Sequence, residues 1–164
     1  MKTYNILFLC TGNSARSIMA EALATVLSKG RLIGYSAGSA PVGHVNPFAL
    51  EKIKPLGYPL EKLRSKSWDE FARPDAPQMD FIITVCASAA GEACPVWPGR
   101  PASAHWGFED PVAVEGSDAE KRRVFNDVFV GLSKRIELLS ALPIETLDHD
   151  SLRNRMQEID GHAR

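Results

Sequence analysis

LFLCTGNSARSIMAEA, residues 7–22, runs from apolar residues through a cysteine and a string of small residues into a helical pattern. Tyr4 to Leu9 reads as a buried strand, and from Ser17 onward Ile18, Ala22 and Val26, together with Met19, Leu23 and Leu27, recur at helical spacing until Gly30. In open α/β sheets ligands gather at the carboxyl ends of strands. A helix amino end at that place presents unpaired N–H groups and a partial positive charge. Gly12, Asn13, Ser14 and Ala15 are small enough for backbone amides to converge on one oxyanion. Thr11 to Arg16 therefore form the candidate oxyanion-binding set, and Arg16 adds a planar pair of donors suited to a tetrahedral anion. The same field is expected to depress the Cys10 thiol and favour the nucleophilic thiolate, with Ser17 donating a hydrogen bond to the sulfur. A cysteine followed by an arginine at this spacing is common by chance. The strand, loop and helix around the pair make it a candidate nucleophile in an anion cradle.

The 164 residues fit one domain, expected over residues 1–164, and 45% hydrophobic content suffices for a buried core. Lys and Arg at 19 nearly balance Asp and Glu at 20, so no electrostatic case exists for nucleic acid or an anionic membrane as partner. The apolar run from Ile6 to Leu9 is too short for a signal peptide, and no stretch is suited to span a bilayer, so the expected location is cytoplasmic. Three cysteines in a reducing compartment argue against a static disulfide framework and leave metal binding, burial or thiol chemistry. Neither G-x-x-x-x-G-K-[ST] nor a G-x-G-x-x-G after a strand occurs, which removes the main support for nucleotide binding.

Downstream, RLIGYSA reads as a second strand. NPFALEKIKPLG reads as a helix capped by Asn46, with Pro47 in its first turn, closed early by Pro55 and followed by Gly57. KSWDEF suits a short helix, DFIITVC a strand ending at Cys86, and ASAHWGFEDP contains a further strand before a loop. A long helix is expected over Asp118 to Ala141, with Val124, Val128, Leu132, Ile136 and Leu139 on one face. A charged amphipathic helix is expected from Asp148 to Ile159, within a C-terminal extension of about residues 146–164. Strands alternating with helices indicate an α/β fold with a mainly parallel sheet flanked by helices.

Asp110 precedes a proline, which biases it toward an extended conformation; such a carboxylate can protonate a leaving oxygen, although an Asp-Pro pair is by itself usually a turn. Glu109 lacks that constraint, and His105 reads as structural. Cys86 and Cys94 are spaced so that one continuous helix would separate their Cα atoms by roughly 12 Å. A disulfide needs about 4.4 to 6.8 Å, so a bridge requires a bent segment, for which Gly91 supplies a hinge. Two buried thiols and a redox pair are equally compatible with this segment alone, and the spacing is unusual for zinc.

Taken together, CTGNSARS, VCASAAGEACPVWPG and HWGFEDP, in that order from Cys10 to Pro111, resemble thiol-dependent arsenate reductases of the low-molecular-weight protein tyrosine phosphatase-like family. The first motif alone resembles the wider phosphatase superfamily; the cysteine pair carries the resemblance to arsenate reduction. The resemblance implies a three-layer phosphatase-like sandwich and a Cys10 thiol-arsenic adduct, stabilised by Arg16 and the loop amides and assisted by Asp110. It further implies a Cys10–Cys86 and then a Cys86–Cys94 disulfide. The implied substrate is arsenate, with phosphate or sulfate as mimics. The implied reductant is thioredoxin, or glutathione with glutaredoxin, and no cofactor is expected to be bound. A low-molecular-weight tyrosine phosphatase using Cys10, Arg16 and Asp110 without the relay is the alternative. Ala15 stands where phosphatases commonly carry a second cysteine, and thioredoxin-linked members usually space the last two cysteines one residue closer. Asn13, Glu21 and Ser36 match positions that hold a structural potassium ion in some relatives. The carboxylate expected near Ser65 is here Lys66, which either replaces the ion by a fixed ammonium or is merely solvated; no metal is expected.

Overall fold

The structure is a computed structural model that describes residues 2–85, 97 and 99–162. Four strands, β1 (Tyr4–Cys10), β2 (Leu32–Gly38), β3 (Phe81–Thr84) and β4 (Ala102–His105), form one sheet in the order β2-β1-β3-β4. Every neighbouring pair is parallel, with Tyr4 opposite Leu32, Ile6 opposite Phe81, and Phe81 opposite Ala102. The strand order reverses on the two sides of β1. The crevice at its carboxyl end, where Cys10 lies, is thus the switch point at which α/β sheets bind ligands.

Among the described residues the α-helices are α1 (Arg16–Leu27), α2 (Pro47–Ile53), α3 (Asp118–Ser140) and α4 (His149–His162). Alternation along the strands divides the core. Ile6, Phe8, Phe81 and Ile83 join the apolar residues of all four helices on one face. Leu7, Leu9 and Ile82 pack on the other against Trp68 and Phe71 of a 3-10 turn, the short helix expected in KSWDEF. The sequence places a single apolar stripe on α1, yet Ser17 to Ala24 are all buried, because this helix lies between the sheet and α3. Asn46 caps α2 by accepting from the Phe48 N–H at 2.9 Å, and Pro55 falls in the 3-10 turn that ends it. Ser117 and Glu120 form a reciprocal capping box at the start of α3. No helix among the described residues is long and apolar enough to cross a membrane.

The buried side of α3 carries Phe125, Val128, Leu132, Ile136 and Leu139, with Val124 only partly covered and Arg135 buried among them. That charge is neutralised by Asp160 of α4, whose carboxylate accepts from Arg135 Nε at 2.9 Å. α4 also closes the free edge of the sheet: the Gln157 amide pairs with both the N–H and the carbonyl of His105, each at 2.8 Å.

α1 approaches β2 so closely that a Cβ at Gly34 would lie 2.1 Å from the Glu21 carbonyl oxygen. Gly34→Ala is therefore expected to push the helix off the sheet and to destabilise the protein by about 2 to 3 kcal/mol, read as a fall in the urea midpoint at unchanged slope.

Candidate active site

The loop between β1 and α1 is shaped by bonds to its carbonyl oxygens. Ser39, Ala40, Val42 and Asn46 donate backbone N–H groups to the carbonyls of Cys10, Thr11, Gly12 and Ser14, at 3.3, 3.0, 3.0 and 2.9 Å. Ser65 Oγ adds a second donor to Gly12 at 3.1 Å. In a trans peptide the N–H points opposite to the carbonyl, and no cis peptide occurs among the described residues. Drawing these carbonyls outward therefore turns the N–H groups of Thr11, Gly12, Asn13 and Ala15 to the inner side. The Asn13 N–H marks that side, because it donates to Cys10 Sγ at 3.3 Å. At the amino end of α1, Ala15 provides no side-chain cap that would compete with an anion for the first helical amides.

Cys10 lies buried at the base of this cradle. Its Sγ is 2.9 Å from Ser17 Oγ, which in turn accepts from Asn13 Nδ2 at 2.8 Å. Ser17 Oγ is thus held within hydrogen-bonding distance of both the Asn13 amide and the sulfur. Asn13 Oδ1 accepts from the Lys66 N–H at 2.9 Å, and Asn13 itself has a left-handed backbone with φ 47°. The depressed thiol expected from the sequence is overturned. Burial pushes the Cys10 thiol up, and this outweighs the Ser17 hydrogen bond, the Arg16 charge and the Asn13 amide, all of which pull it down.

Arg16 and Asp110, separate in sequence, meet over the cradle. Arg16 Nη1 donates to the Phe108 carbonyl at 3.1 Å, and Nη2 lies 3.7 Å from Asp110 Oδ1. Asp110 is brought there by the chain leaving β4: Trp106 N–H bonds the Thr84 carbonyl and Phe108 N–H the Val85 carbonyl, folding the segment across the end of β3. Asp110 Oδ1 accepts from the Val112 N–H at 3.0 Å, and the carboxylate remains accessible at 45% side-chain exposure. The turn expected from its Asp-Pro pair is thus present, and it faces Arg16. Cys86 and Cys94 lie outside the described residues.

One part of the site escapes a reading of motifs, the collar of Ser39, Ala40, Val42 and Ser65, whose only sequence signal is Gly38, where a Cβ would lie 2.4 Å from the Thr11 carbonyl oxygen. Lys66, which the sequence leaves as either a fixed ammonium in place of an ion or a solvated side chain, is buried. Its Nζ donates to the Arg64 carbonyl at 2.8 Å and lies 3.9 Å from Glu21 Oε1, while Glu21 also accepts from Ser36 and Tyr58. Burial pushes the Glu21 carboxyl up and the Lys66 ammonium down, and the charge of each restrains the other.

The family model described as low molecular weight phosphotyrosine protein phosphatase matches residues 5–152. The arsenate reductase of Halalkalibacterium halodurans is 39% identical over 132 residues, covering 80% of this chain and 91% of that protein. The arsenate reductase of Bacillus subtilis is 35% identical over 137 residues, covering 84% and 95%. A solved structure of an arsenate reductase in the phosphate binding state is similar with a TM-score of 0.66 and 29% identity, covering 86% of this chain and 98% of that one.

Ser17→Ala removes the largest contribution that lowers the Cys10 thiol. The pH profile of Cys10 alkylation by iodoacetamide, followed by peptide mass spectrometry, is expected to move to higher pH, with slower alkylation near neutrality.

Proposed function

This chain belongs to the low molecular weight phosphotyrosine protein phosphatase family, and we propose that it uses the cradle to reduce arsenate to arsenite. Arsenate and phosphate are nearly the same tetrahedral anion, so inward amides and an arginine hold either. Sulfur chemistry selects arsenic. The observation that carries this reading is the pairing of β3 with β1: the N–H of Val85, the residue before Cys86, bonds the carbonyl of Leu9, the residue before Cys10, at 2.8 Å. The strand that leads to the second cysteine therefore ends alongside the strand that leads to the nucleophile. The arsenate reductases of 34–39% identity among its relatives support the same reading.

In the proposed sequence, Cys10 thiolate attacks arsenic(V), forming an S–As bond as one arsenic oxygen leaves as water. Arg16 and the inner amides hold the remaining oxyanion charge, and Asp110 supplies a proton to the departing oxygen. Cys86 then attacks Cys10 Sγ. The S–As bonding pair stays on arsenic, which leaves as arsenite in the trivalent state, and the two sulfurs are oxidised to the Cys10–Cys86 disulfide. Attack of Cys94 on Cys86 releases Cys10 and leaves Cys86–Cys94 for an external dithiol to reduce with two electrons. Thioredoxin serves as that dithiol, and glutathione with glutaredoxin is the competing donor. All electrons come from thiols, so the scheme requires no bound cofactor.

The phosphatase reading rests on the same Cys10, Arg16 and Asp110, with Arg16 and Asp110 only 3.7 Å apart, and ends in hydrolysis. Cys86→Ser distinguishes the two. Multiple-turnover NADPH oxidation with arsenate, coupled through thioredoxin and its reductase or through glutathione, glutaredoxin and their reductase, is expected to fall to background in this variant. Hydrolysis of p-nitrophenyl phosphate is expected to be unaffected. Wild-type protein that oxidises NADPH with neither system refutes arsenate reduction. Asp110→Asn is expected to slow any phosphoester hydrolysis by about 10² to 10⁴-fold, measured as kcat on the same ester.

A further inference from the structure

The family match ends at residue 152, inside α4, yet the remainder of that helix is connected to the cradle through a short chain of contacts. Asp160 accepts from Arg135 Nε at 2.9 Å, and Arg135 Nη1 donates to the Gly131 carbonyl at 2.8 Å, so the guanidinium is held at two points. That guanidinium stacks on the Phe108 ring, 4.5 Å from its centroid. The other boundary of the ring is Gly131, where a Cβ would come within 2.8 Å of Phe108 Cε1 and 3.2 Å of Arg135 Nη1. The Phe108 carbonyl is the acceptor for Arg16 Nη1 at 3.1 Å. Two further contacts brace the same segment from α4: Trp106 Nε1 donates to the Met156 carbonyl at 2.9 Å, and the Gln157 amide clasps His105.

We propose that the C-terminal helix orients the anion-binding arginine, with Asp160 and Arg135 as positioning residues that act on Arg16 through Phe108. This rests on the reading that residues 10–16 bind a tetrahedral oxyanion. Arginine binds such an anion through a planar fork, so affinity depends on the tilt of the guanidinium as well as on its charge. Arg16 has one donor on the Phe108 carbonyl and lies near Asp110, and these two contacts set its plane. Phe108 is fixed by its N–H on Val85 and by its ring between Gly131 and Arg135. Removing the Asp160 charge leaves Arg135 buried without its counter-charge, and the guanidinium then has reason to leave the ring for water. The Phe108 backbone loses one of its two anchors, and Arg16 loses a fixed acceptor.

The test is protection of Cys10 from iodoacetamide by inorganic phosphate, which reads oxyanion affinity without any reductase turnover. Asp160→Asn is expected to weaken phosphate protection on the order of tenfold, with Asp160→Glu restoring most of the affinity. Phe108→Leu, which leaves the Asp160–Arg135 pair intact but removes the ring, is expected to weaken phosphate to a similar degree with a small change in Tm. Phosphate affinity within twofold of wild type in folded Phe108→Leu overturns the proposal. So does Asp160→Asn that lowers Tm alone. Wild-type Cys10 that phosphate does not protect at all overturns the oxyanion reading itself and this proposal with it, a result distinct from either variant outcome.

Discussion

The outward hydrogen bonds on the carbonyls of residues 10–12 and 14 are the constraint from which the site follows. A tight loop of small residues has no intrinsic reason to present its amides to one point, since each peptide can flip at modest cost. Donors from residues 39–46 and Ser65 remove that freedom one carbonyl at a time, and peptide planarity converts each outward carbonyl into an inward N–H. β2 must run past the loop closely enough to deliver those donors, which is why Gly38 opposes Cys10 in the sheet and has no side chain. The positive charge of Arg16 and the open end of α1 then act beside a loop whose amides are already aligned.

Burial at the end of β1 has a cost for Cys10. The enclosure that shields the sulfur from water also disfavours its charge, and burial dominates over the contacts that favour the thiolate. Ser17 and Asn13 are the local response. Asn13 accepts from the Lys66 N–H and donates to Ser17, which lies 2.9 Å from the sulfur, so the surroundings of Cys10 depend on a chain that begins in a different part of the fold. Lys66 is itself buried against Glu21, which ties that chain to the centre of α1.

Arg16 occupies a comparable position between distant segments. Its acceptor is the Phe108 carbonyl, Phe108 is packed against α3, and α3 is joined to α4 by a buried ion pair. Replacing such a pair by apolar residues is often neutral for stability, whereas removing one partner leaves an uncompensated buried charge. The sheet edge, the segment that carries Asp110, and the guanidinium over the cradle are all held from the same terminal helix.

Much of this was legible in the residue pattern. Apolar runs identify β1 and β2, helical spacings identify α1 and α3, the Asn46 and Pro47 pair marks the start of α2, and the small-residue loop after Cys10 marks the turn from β1 into α1. These depend on neighbours within a few positions, where backbone geometry alone decides which side chains share a face. The direction of the thiol shift, the burial of Lys66, the use of Phe108 as an acceptor and the approach of Asp110 to Arg16 were decided by tertiary structure. Desolvation and hydrogen bonding depend on which atoms surround a group in space. Here those atoms come from segments as much as 94 positions away, as with Arg16 and Asp110.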